Sequence, residues 1–195
     1  MKTQIAPSLY YKIIAEVFGD DQRPAYGQIA TLAKEKQPTL RTLHLHYLKE
    51  LGVIAFSTHL KSDKWQEIKY HPYLSGCYYD TSREIQFRFH AKGELIEPKN
   101  QRFKEFLDEM WLKIRSEVRT AYWLDAKRLP LDSELPEEID IQKRAPNLGV
   151  VLCRPFKWDI YEIHLDEYRK GERSVHTLTK NRWQSQNVSI LHGKS

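Results

Sequence analysis

The chain has 195 residues, 41% hydrophobic and 12% aromatic, which is enough apolar material for one good core or two modest ones and excludes a disordered polymer. A net charge of +5 with a pI near 9.1 allows a polyanionic partner, and the charge is unevenly placed: residues 1–75 carry +3, 76–142 carry −3 and 143–195 carry +5. No apolar run approaches the ~18 residues of a membrane span, no apolar segment follows Met1-Lys2-Thr3-Gln4, and Cys77 and Cys153 stand far apart in apolar runs, so the expectation is a cytoplasmic protein with reduced, buried thiols.

The segment SLYYKIIAEVF aligns Leu9, Ile13 and Val17 in one row and Tyr10, Ile14 and Phe18 in another, predicting a first helix that Gly19-Asp20-Asp21 ends. YGQIATLAKEK predicts a second, with Ile29, Ala30, Leu32 and Ala33 on one side. Gln37-Pro38 then interrupts the chain, because proline has no amide hydrogen and disfavours α conformation in the residue before it. From Thr39 as N-cap, TLRTLHLHYLKEL reads as a third helix with Leu40, Leu43, Tyr47 and Leu51 in one arc, and Thr42, His46, Lys49 and Glu50 opposite; Gly52 suits its C-terminal cap. VIAFSTHL and WQEIKYH follow as β-rich runs joined by Lys61-Ser62-Asp63-Lys64, a four-residue hairpin loop.

An apolar helix with QIATLAKE, a turn, a Thr-rich helix start and LKELGVI running into a hairpin resemble the winged helix-turn-helix superfamily over roughly the first 75 residues. The resemblance implies a DNA-binding domain whose third helix enters the major groove while the hairpin wing touches the neighbouring backbone. Arg41, Thr42, His46 and Lys49 are then the base-facing candidates, Arg41 by a bidentate contact to guanine, and Lys49, Lys61, Lys64 and Lys69 neutralise phosphates.

Pro72–Gly76 reads as a boundary between a winged helix at residues 1–75 and a C-terminal α+β part at 76–195. CYYDTSREIQFRFH has a turn at Asp80-Thr81-Ser82, then strict alternation, with Ile85, Phe87 and Phe89 on one strand face and Gln86, Arg88 and His90 on the other. A long amphipathic helix is predicted over 98–125, its stripe of Phe103, Phe106, Leu107, Met110, Trp111 and Ile114 offering a homodimer surface or packing as the central helix of the C-terminal part on the Cys77–His90 hairpin. Residues 125–147, with three prolines and the acidic run DSELPEEID, read as an exposed loop. LGVVLC reads as a buried strand, WDIYEIHLDEYRKG as strand or helix, and the basic tail with Arg173, Lys180 and Arg182 as a second DNA contact on a strand such as SVHTLTKN.

Catalytic motifs are not found: the sequence has no glycine-rich phosphate loop, GxSxG, HExxH or CxxC, and His44 and His46 are two apart where metal binding on a helix wants four. Glu67-Ile68-Lys69 with Asp63 echoes the acid-x-lysine of metal-dependent nucleases, but the wing hairpin accounts for it. The sequence reading is therefore an α+β, sequence-specific double-stranded DNA-binding homodimer without catalytic residues, cofactor or metal. The role expected is transcriptional regulation, with a replication-initiation or mobile-element protein and a non-catalytic winged-helix interaction subunit as alternatives.

Overall fold

The computed structural model describes residues 8–19, 24–48, 51, 53–124, 139–167 and 170–189. Helix α1 (Ser8–Gly19) precedes strands β1 (Ala25–Leu32), β2 (Pro38–Leu48) and β3 (Val53–His59). Helix α2 (Asp63–Tyr70), strands β4 (Tyr73–Asp80) and β5 (Ile85–Ile96), and the short helices α3 (Lys104–Leu112) and α4 (Ser116–Arg119) come next. Strands β6 (Leu148–Glu162), β7 (Glu172–Thr179) and β8 (Arg182–Asn187) complete the order.

The strands form one antiparallel sheet in the order β3-β2-β1-β4-β5-β6-β7-β8, and β3 also pairs with β6 from Ile54↔Cys153 to His59↔Leu148. That pairing closes six strands into a barrel, removing the open edges a flat sheet would leave, and β7–β8 extends from β6. Inward-pointing side chains fill it: Ile29, Leu45, Phe56, Phe87, Phe89 and Trp158 are all buried in one cluster. Helix α1 packs over the end near Tyr47, Tyr78 and Phe87, and α2 covers the other end with Trp65 and Ile68. A second apolar layer lies outside the barrel, where Leu107 and Met110 of α3 meet Leu48, Ala55, Val150 and Leu152.

This architecture overturns the winged helix. The expected second helix is β1 and the expected recognition helix is β2, paired in register from Ala25↔Leu45 to Leu32↔Pro38. The reason lies in a second periodicity: Leu43, Leu45 and Tyr47 alternate with Thr42, His44 and His46, and the two-residue repeat is satisfied once barrel neighbours cover both faces. The first wing strand is β3, but WQEIKY is helix α2, capped by the Ser62 side chain accepting from the Trp65 amide.

The expected boundary at Pro72–Gly76 falls at the start of β4, which pairs with β1 on one side and β5 on the other, so residues from both sequence halves build one barrel. The helix expected over 98–125 stops at Leu112, where Arg119 folds back and its Nε and Nη2 donate to the carbonyls of Ile114 and Leu112 at 2.9 and 3.0 Å. Leu107, Met110 and Trp111 of its stripe are buried inside the chain, whereas Leu112 and Val118 are exposed. The acidic loop reading lies mostly outside the described residues. Among those described, no helix is long and apolar enough to cross a membrane.

Candidate functional site

The closure of the barrel by α2 brings polar groups together that are remote in sequence. Thr58 is the next-to-last residue of β3, the turn that follows places Ser62 at the start of α2, and Lys64 lies in the first helical turn. Thr58 and Ser62 hydroxyls are hydrogen-bonded at 2.8 Å, and Lys64 Nζ donates to Thr58 Oγ1 at 3.3 Å. Amides at a helix start lack intrahelical acceptors and carry the positive end of the helix dipole, so this corner presents hydroxyls, an ammonium and backbone donors to an anion.

Behind it stands Arg41 of β2, opposite Ile29 of β1. Its Nη2 meets Glu67 Oε2 at 2.8 Å and Thr39 Oγ1 at 2.8 Å, while Nη1 donates to Thr31 Oγ1 and to the Thr39 carbonyl at 3.3 Å. Glu67 Oε2 also accepts from Thr31 Oγ1 and, at 2.9 Å, from Thr39 Oγ1. Burial would raise the Glu67 pKa, but donation from Thr31, Thr39 and Arg41 outweighs it and holds the carboxyl below its ordinary range. The Lys64 pKa is lowered as well, here at the expense of the charged form: burial first, and then the positive charge of Arg41, outweigh the pull of Asp63 and Glu67. An ammonium disfavoured by burial and by a neighbouring guanidinium gains when a phosphate arrives.

Of the residues expected to touch DNA, the fold gathers Arg41, Lys61 and Lys64 around α2, and Lys61 is tied into the turn through its amide on His59 Nδ1 at 3.0 Å. Lys69 is exposed in the last turn of α2, and Thr42 is exposed on β2 opposite Gln28. His46 is buried, its ring 3.9 Å from that of His44. Lys49 lies outside the described residues. Arg173 clamps Asp159 across β7 and β6 at 2.9 and 2.8 Å, far along the sheet from α2; Lys180 sits in the β7–β8 turn and exposed Arg182 opens β8. The nine of these ten positions that are described are spread over β2, α2 and its preceding turn, and the β6–β8 part of the sheet.

The hydroxyls of this corner, Thr58 and Ser62, were missed by the sequence reading. The signal for Ser62 was present: a serine followed by Asp63 and then Trp65 and Ile68 three apart is a helix start.

A closed six-stranded barrel with a polar, helix-capped corner at one end is similar in fold to the split barrel of pyridoxamine 5'-phosphate oxidase-related proteins. The family model described as pyridoxamine 5'-phosphate oxidase, FMN-binding domain, matches residues 8–97, from α1 through β5, which include every member of the corner. A relative from Arabidopsis thaliana, pyridoxine/pyridoxamine 5'-phosphate oxidase 2, is 25% identical over 173 residues, 85% of this chain and 87% of that protein. A crystal structure from Nostoc punctiforme, of a pyridoxamine 5'-phosphate oxidase-related, FMN-binding protein, superposes with a TM-score of 0.79 over 95% of this chain and 99% of its own, at 21% identity. PhzG from Burkholderia lata, solved with tetrahydrophenazine-1-carboxylic acid, gives 0.67 over 93% and 88% at 16% identity.

These likenesses replace the duplex-DNA reading, its regulatory and replication versions, and the winged-helix interaction subunit together. The supposed recognition helix is a barrel strand, and the family matched is one of flavin binding. The expectation of a protein without catalytic role is likewise at odds with a match to an oxidase domain.

Proposed function

We propose that this chain is an FMN-binding protein of the oxidoreductase type, holding the flavin phosphate at the start of α2. The observation that carries the reading is Lys64, a half-buried ammonium beside Thr58, Ser62 and the first-turn amides, inside the segment similar to an FMN-binding domain. The donor set fits a phosphate monoester. Lys64 supplies the direct charge, the two hydroxyls can rotate to donate, the helix start adds amides, and Arg41 stands behind them ion-paired to Glu67.

FMN supplies a two-electron acceptor when bound. The chain's own part is to orient it: the phosphate corner is built on a strand end and a helix, both seated by Trp65 and Ile68 in the core. Elements locked by packing hold a ligand more tightly in place than a free loop would. A cytoplasmic location goes with this reading, supported by the free thiols of Cys77 and Cys153.

The experiment is reconstitution of the purified chain with FMN, riboflavin and FAD, followed by removal of free flavin and release of what remains by denaturation. FMN retained in one-to-one ratio, reduced by dithionite without oxygen and reoxidised by dioxygen while bound, is the expected result. A protein that retains no flavin, or takes riboflavin as tightly as FMN, contradicts the proposal.

A further inference from the structure

The hydrogen bonds around Arg41 form a closed ring. The guanidinium donates to Thr31 and Thr39, both hydroxyls donate to Glu67 Oε2, and Arg41 Nη2 donates to that same oxygen at 2.8 Å. With Nη1 also on the Thr39 carbonyl, the four Nη hydrogens are directed into the ring and none of these contacts involves the anion corner. Arg41 thus acts on a bound anion mainly as a fixed charge. Glu67, buried and three residues after Lys64 on the same side of α2, places a carboxylate against that charge.

We propose that Glu67 sets the affinity of the corner for phosphate by cancelling the charge of Arg41, which leaves Lys64 as the net positive group. This rests on the assignment of the FMN phosphate to the corner. The arrangement resolves a conflict between the empty and loaded protein. Without Glu67, two cations close enough for one to depress the basicity of the other would share a half-buried corner with no carboxylate in the ring, and the free protein would be less stable. With it, the free protein is balanced, and each negative charge on the ligand is opposed by one at Glu67.

Three of the four Nη hydrogen bonds of Arg41 do not involve Glu67, and a glutamine at that position keeps a carbonyl acceptor. Replacing the carboxylate therefore changes charge more than position. Glu67→Gln is expected to bind FMN and inorganic phosphate about tenfold more tightly and to bind riboflavin, which lacks the phosphate, as the unmodified protein does. The dependence of FMN affinity on salt should steepen.

The test is titration of each ligand by isothermal calorimetry or flavin fluorescence in unmodified protein, Glu67→Gln, Arg41→Gln and the double variant. Arg41→Gln should weaken FMN, and adding Glu67→Gln should recover part of the loss. A fall or no change in FMN affinity on Glu67→Gln overturns the proposal, a fall assigning Glu67 to holding Arg41 in place. If Glu67→Gln alone does not fold, the comparison of Arg41→Gln with the double variant carries the same sign test. Unmodified protein that binds FMN no better than riboflavin would instead refute the phosphate site itself.

Discussion

Lys64→Met removes the ammonium and keeps a stem of similar length along α2. In the free protein the charged form of Lys64 is already disfavoured by burial and by Arg41, so its loss should leave the unfolding midpoint unchanged or raise it. With FMN bound as proposed, the same group would be the net positive charge of the corner. A hydrogen bond to a charged partner contributes about 1.5–3 kcal/mol, which corresponds to a loss of about 10- to 150-fold in FMN affinity. Riboflavin, which has no phosphate, should bind both proteins alike. Quenching of flavin fluorescence on titration with apoprotein reads both ligands in one assay, and urea unfolding reads stability. Equal losses for FMN and riboflavin, or a destabilised apoprotein with unchanged FMN affinity, would refute the reasoning, because either would make Lys64 a structural group.

Three further outcomes follow from the same geometry. FMN affinity should fall as pH rises through the lowered pKa of Lys64, at a pH below that of an ordinary lysine, and Lys64→Met should lack this alkaline limb. Glu67 titrates below the usual carboxylate range in the folded chain, so its contribution to stability is full above the unfolded carboxylate pKa and is lost as pH falls through the lower folded value; urea midpoints taken across acid pH should lose that step in Glu67→Gln. Gly149→Ala would place a Cβ 2.4 Å from Trp65 Cζ3, the side chain that seats α2, and should cost about 1–3 kcal/mol in unfolding free energy together with FMN affinity; a stable variant with normal binding would show that α2 is not held there.

Much of the barrel was legible where one periodicity ruled the segment. The alternation of Ile85, Phe87 and Phe89 with Gln86, Arg88 and His90 gives β5 its inner and outer faces, LGVVLC opens β6, and the double row of SLYYKIIAEVF is α1. Misreading arose where two periods fitted one stretch. Leu40, Leu43, Tyr47 and Leu51 satisfy a helical arc, whereas Leu43, Leu45 and Tyr47 satisfy a strand face, and only the neighbouring strands decide between them. Ala30, Leu32 and Ala33 favour helix locally, yet Ile29 and Thr31 are drawn inward by the barrel and Gly27 is packed against Leu45, where a Cβ would approach its Cδ1 to 2.6 Å. Reading β1 and β2 as helices then forced Lys61–Lys64 into a hairpin loop and hid the helix start at Ser62. The site was half legible for the same reason: Lys64 was picked out as a phosphate-binding cation and Arg41 as a reader of bases, but their partners Thr31, Thr39, Thr58 and Glu67 are joined to them only by the closure of the barrel.

On the proposed function this barrel binds FMN through its phosphate and does not read DNA. Calorimetric titration of the purified protein with FMN, with riboflavin and with a random-sequence duplex at physiological salt measures all three at once. Stoichiometric FMN binding at least tenfold tighter than riboflavin, with no saturable binding of the duplex, is the expected result. Saturable duplex binding with no preference for FMN over riboflavin would contradict it.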